Sequence, residues 1–122
     1  MPHIVVEYTP NLGDLPFDAM LAAVTRRLAA SSEVEDEADL KARVRCADPF
    51  RVGLQDAGRA FIHVTLRILA GRTPEAKKDL SRRVADGMLE HMPEFPSGLA
   101  VHLSVEVVDM DRGSYTKVRL KT

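Results

Sequence analysis

The order of hydrophobic periodicities along this chain confines it to very few folds. Apolar residues recur with a period of two, then of about 3.6, then of two, and the series repeats. Ile4-Val5-Val6 is a β-branched opening strand, followed by turn chemistry in Tyr8-Thr9-Pro10-Asn11-Leu12-Gly13. Asp14 is then placed to cap a helix whose first turn accepts Pro16, with Phe17, Met20, Leu21, Val24 and Leu28 on one stripe. The acidic run from Ser31 to Asp39, holding Glu33, Glu35, Asp36 and Glu37, reads as a solvated connection. From Leu40 the period returns to two: Leu40, Ala42, Val44 and Cys46 point one way, and Lys41, Arg43 and Arg45 the other. Asp48-Pro49 breaks this strand, and residues 53–58 form a loop.

The second series starts with a strand over Phe61 to Leu69. Thr73 is positioned as a helix cap and Pro74 as a first helical residue. Ala76, Leu80, Val84 and Met88 recur every four residues, Ala85, Leu89 and Met92 widen the stripe, and Pro93 stops it. A fourth strand alternates from Leu99 to Val108, and a tail ends in the short alternation Lys117, Val118, Arg119 and Leu120. The pattern therefore predicts an α+β domain spanning residues 1–122, with a duplicated β-α-β unit: one repeat over about 2–48, the second over about 60–110, and a tail over 111–122. Right-handed crossovers make the two strands of each repeat parallel and put both helices on one sheet face. His3, Glu7, Lys41, Arg43, Arg45, His63, Thr65, Arg67, Ser104 and Glu106 then share the other face.

Charge and composition narrow the function classes. With 17 basic and 18 acidic residues, a formal charge of −1 gives no overall attraction to nucleic acid or to an anionic membrane. The single cysteine, Cys46, excludes an internal disulfide, suits a reducing compartment, and is expected to lie inert on the core side of its strand. His3, His63, His91 and His102 lack metal-site spacing. Without a leader pattern or a long apolar run, the chain is expected to be cytoplasmic. A ferredoxin-like module that stacks bases on its open face has the same order of elements, but needs aromatics in mid-strand where this chain supplies little beyond Phe61 and Tyr8.

Pro2 gives the polar face a chemical possibility. Methionine is generally removed before so small a residue, so Pro2 is expected to carry a free secondary amine at the head of the first strand. An unperturbed α-amino group titrates near 7.7–8.0, and nearby cations or burial lower that value, so such an amine can act as an uncharged base.

Pro2-His3-Ile4-Val5-Val6-Glu7-Tyr8 resembles the opening of the tautomerase superfamily, whose members use an amino-terminal proline as general base. Residues 68–78, around Gly71-Arg72-Thr73, are similar to the strand, Gly-Arg-Ser/Thr turn and helix start of 4-oxalocrotonate tautomerase. Residues 107–115, ending in Tyr115, resemble the segment of that enzyme that ends in an active-site aromatic. A duplicated chain of this length resembles the 5-carboxymethyl-2-hydroxymuconate isomerase family nearly end to end, including Arg43-Val44, Asp48, Ala60-Phe61, His63, Thr65-Leu66 and Ala70-Gly71-Arg72. The resemblance implies a cofactor-independent keto-enol isomerase of aromatic-compound (homoprotocatechuate) breakdown, assembled as a homotrimer whose three sheets close into a barrel. It implies Pro2 as the catalytic base, and Lys41, Arg43, Arg72 and Tyr115 as substrate-binding residues, with no metal. Lys41 stands where that family has an arginine, and supplies a point charge in place of a fork. A different 2-hydroxydienoate, or a halogenated acid undergoing hydration, would use the same proline and arginines.

Overall fold

The computed structural model describes residues 2–121. Four strands, β1 (His3–Tyr8), β2 (Lys41–Cys46), β3 (Arg59–Leu69) and β4 (Ala100–Met110), form one sheet in the order β2-β1-β3-β4. Helices α1 (Phe17–Ala29) and α2 (Pro74–Leu89) connect β1 to β2 and β3 to β4. Both of these strand pairs are parallel, as the β-α-β reading requires, while the two repeats meet at an antiparallel β1–β3 pair. The termini of α1 and α2 differ in how they are held. Thr73 accepts a hydrogen bond from the Ala76 N–H, the cap expected of it. Asp14 does not cap α1: that helix starts after Pro16 with no side-chain cap, and its first-turn donors find no Asx partner.

Alternation decides which strand residues are buried. Ile4, Val6, Ile62, Val64, Leu66 and Ile68 are buried against Met20, Val24 and Leu28 of α1 and Leu80, Val84 and Met88 of α2. Leu89, expected on the α2 stripe, is 51% exposed as the last residue of that helix. Gly87 is buried where the helices cross, and a Cβ there would lie 2.8 Å from the Val24 Cα. Thr9, fully buried, exchanges main-chain contacts with Phe61 and accepts from the Phe61 N–H through its Oγ1, closing one end of the β1–β3 pair.

Cys46 requires a correction. It is exposed, not shielded in the core, because β2 is an edge strand and Cys46 is its last residue. Tyr8 beside it packs on Phe17 with ring centroids 4.6 Å apart, and burial followed by a contact with the Cys46 thiol pushes the phenol above its ordinary value. The tail alternation at Lys117 to Leu120 is not a strand; Val118 and Leu120 are exposed. No helix among the described residues is long and apolar enough to cross a membrane.

Candidate active site

The sheet topology brings one end of every strand to Pro2. Its carbonyl accepts from the Lys41 N–H at the start of β2, and β3 and β4 finish on the same side. Pro2 is buried. It lines a cavity of about 220 Å³ together with Leu69, Arg72, Arg112, Glu33, Val34, Glu35, Asp36 and Asp39.

Arg72 follows the Gly71 turn, where φ is +122°, a backbone setting that favours glycine. It borders a small apolar pocket shared with Leu28, Leu40, Leu66, Ile68 and Leu80, and its side chain is 18% exposed. The head is already engaged. Nη1 donates to the Leu69 carbonyl at 2.9 Å, and Nη2 to the Glu33 carbonyl at 3.1 Å. Nε stands 3.4 Å from Glu33 Oε1, close enough for an ion pair but without hydrogen-bond alignment, so this buried N–H has no hydrogen-bond partner. Ser31, nearly buried, prepares the contact: its Oγ accepts from the Glu33 N–H and turns the chain after α1 back towards β3.

The acidic run is therefore not simply a solvated connection. Glu33, Val34, Glu35, Asp36 and Asp39 line the Pro2 cavity, which charge density alone could not reveal because a cavity wall and a wet loop have the same composition. Asp39 is held there by Lys117, whose hydrogen bond at 2.6 Å lowers the carboxyl below its ordinary range, opposed by partial burial. Arg112 was also missed by the sequence reading. Its Nε donates to the Ala70 carbonyl, which places its guanidinium beside Gly71 and on the cavity. The only sequence signal was its nearness to Tyr115.

Arg43 and Tyr115 lie elsewhere, on the open sheet face. They border a shallower depression of about 430 Å³ with His3, Glu7, Arg45, Thr65 and Arg67. His3 links them: Arg43 Nη1 is 3.1 Å from Nδ1, and Tyr115 Oη is 2.9 Å from Nε2. A guanidinium can only donate, so Nδ1 is the acceptor and Nε2–H donates to Tyr115. Burial and then Arg43, Lys41 and Arg67 hold the His3 pKa below its ordinary value, which keeps the ring neutral. Lys41 borders neither cavity; it is exposed, and its ammonium contacts the Asp39 carbonyl at 3.3 Å. The expected site residues thus divide into Pro2 with Arg72, Arg43 with Tyr115, and Lys41 outside both.

Comparison with known proteins decides the family. The model of the 5-carboxymethyl-2-hydroxymuconate isomerase family matches residues 2–121. The chain belongs to this family. A 5-carboxymethyl-2-hydroxymuconate Delta-isomerase of Escherichia coli is 27% identical over 113 residues, covering 90% of this chain and 87% of the relative. A crystal structure of a 5-carboxymethyl-2-hydroxymuconate isomerase from Deinococcus radiodurans R1 superposes with a TM-score of 0.85 at 24% identity, covering 96% of this chain and 88% of that one. A fused 4-OT asymmetric trimer gives 0.71 at 13% identity over 94% of this chain and 91% of its own. As a member of the isomerase family with the tautomerase fold, the chain is an enzyme. The two β-α-β units make a duplicated frame, and the Pro2 cavity lies at the end of the sheet where the heads of β1 and β2 meet the ends of β3 and β4.

Proposed function

We propose that this enzyme converts 5-carboxymethyl-2-hydroxymuconate, a dienol bearing carboxylates, to its unsaturated 2-keto isomer, with Pro2 as the base. The observation that carries the reading is the cavity in which buried Pro2 faces Arg72 and Arg112. With a free secondary amine, neutral Pro2 takes the hydroxyl proton, the dienolate charge is met by the Arg72 guanidinium, and the same nitrogen returns the proton to carbon. One proton leaves oxygen and one is added to carbon, so the product is an isomer and no cofactor enters the balance. Arg72 lies nearest this chemistry, while Lys41 stays outside the cavity with its ammonium on the Asp39 carbonyl. Arg43 and Tyr115 take their part through His3 on the adjoining face.

A homotrimer belongs to the same reading. It is supported by a polar sheet face that neither helix covers and by the likeness to fused 4-OT trimers. Closing three such faces into a barrel shelters the His3, Arg43 and Tyr115 cluster.

One observation favours a second reading. Four carboxylates, Glu33, Glu35, Asp36 and Asp39, line the cavity against the two guanidinium groups of Arg72 and Arg112. An acidic wall favours the charged amine, and a protonated Pro2 is a general acid suited to hydration of a halogenated acid. The pH profile separates the two. For the isomerase, kcat/KM on 2-hydroxymuconates falls as pH drops through the amine's pKa, and a blocked N-terminus abolishes activity. Full activity after blocking refutes the base, and activity that is lost instead as pH rises supports the acid.

A further inference from the structure

We infer that Arg112 is the specificity-determining cation of the Pro2 cavity, the group that receives a substrate carboxylate remote from the reacting carbon. The inference rests on the isomerase reading of the same site, and it follows from how the two arginines there are employed. Arg72 has spent two donors on the Leu69 and Glu33 carbonyls, and its charge faces the Glu33 carboxylate. Arg112 has no carboxylate partner among the described residues. Its one hydrogen bond among the described residues, from Nε to the Ala70 carbonyl, fixes the guanidinium and leaves the Nη1 and Nη2 fork to a ligand. A carboxylate matches such a fork with two parallel hydrogen bonds.

Position decides which carboxylate. Pro2 is buried whereas Arg112 is exposed, so the proton-transfer atoms sit within the cavity and the far end of the substrate reaches Arg112 at the mouth. The remaining lining reinforces the choice. Glu35 and Asp36 border the same cavity, are exposed and make no ion pair among the described residues, so an anion is disfavoured beside them and left to Arg112. A cavity of about 220 Å³ keeps the two ends of a short diacid close to these walls.

The test uses Arg112→Gln and Arg112→Lys in the full-length enzyme with two dienols. One is 2-hydroxymuconate, which carries a remote carboxylate; the other is 2-hydroxypenta-2,4-dienoate, which has only the carboxylate beside the hydroxyl. Arg112→Gln is expected to raise KM for the first by ~10-fold or more with kcat nearly unchanged, and to alter the second by less than ~2-fold; lysine restores part of the loss, because it keeps the charge without the fork. Equal effects on both dienols, or none on either, overturn the inference. A second readout needs no turnover: adipate and hexanoate titrated by NMR, where Arg112→Gln is expected to weaken adipate alone by ~10-fold. If the wild-type enzyme turns over neither dienol nor 5-carboxymethyl-2-hydroxymuconate, but adipate binding is selectively lost in the variant, the carboxylate site stands and the isomerase reading falls. Adipate binding equal in variant and wild type overturns the site whatever the activity.

Discussion

Arg72→Met separates the structural work of Arg72 from any contact with substrate. Methionine keeps most of the apolar stem beside the small pocket that Arg72 shares with Leu28, Leu40, Leu66, Ile68 and Leu80, so the loss is confined to the head. Two charge-assisted hydrogen bonds disappear, at 2.9 Å to Leu69 and 3.1 Å to Glu33. Hydrogen bonds to charged groups contribute roughly 1.5–3 kcal/mol each, and the lower value applies here because water can reach the exposed fraction of the site. The Glu33 ion pair adds under ~1 kcal/mol, since its carboxylate is partly exposed and the geometry is not aligned. The variant should therefore be less stable by about 3 kcal/mol, a fall in Tm on the order of 10 °C for a domain of this size. Differential scanning calorimetry at one fixed protein concentration measures it, since assembly makes Tm depend on concentration. Hydrogen exchange should show the loss concentrated in residues 31–36 and the end of β3. An unchanged Tm would refute the account of Arg72 as a strut between these segments, and would return its whole head to the substrate.

Gly87→Ala should destabilise, against helix propensity. Alanine is favoured by about 1 kcal/mol in a helix interior, but the new Cβ meets backbone that cannot step aside, and overpacking costs up to ~3 kcal/mol, so a net loss of about 2 kcal/mol is expected by urea titration. His3 should titrate below its ordinary value of 6.5. The sign follows from the lowered folded-state pKa: the unfolded chain binds the proton first, so the contribution of His3 to stability is complete above 6.5 and declines as pH falls below it. Histidine NMR shifts read the titration directly, and Tyr115→Phe, which removes the acceptor of Nε2–H, should change the His3 resonance without disturbing Arg72.

Much of the frame was legible before any coordinates. A period of two or of about 3.6 follows from backbone geometry, so the strand cores at Ile4 and Val6 and at Ile62 to Ile68, and the helix stripe of Leu80, Val84 and Met88, were open to reading from residue order. Thr73 was equally local, because a cap bonds an N–H three residues away. Asp14 shows the limit of that logic: a capping residue is competent only if the chain begins its helix there, and Pro16 delays the start.

The sequence by itself determined the two β-α-β units, the parallel sense within each, and the division of the sheet into an apolar and a polar face, because these depend on period and handedness along one stretch of chain. Only the tertiary structure decided how the units meet. The antiparallel β1–β3 pair puts Pro2 beside Leu69 and Arg72, some seventy residues away in the chain, and brings Glu33 and Arg112 to the same cavity from connections whose composition carries no such signal. The same register parts Arg43 from Pro2: on a strand, neighbouring residues face opposite sides, so His3 turns to the open face with Arg43 and Tyr115 while Pro2 ends in the cavity at the rim. Exposure of Cys46 had the same origin, since alternation assigns a face but only the strand order says that β2 is an edge.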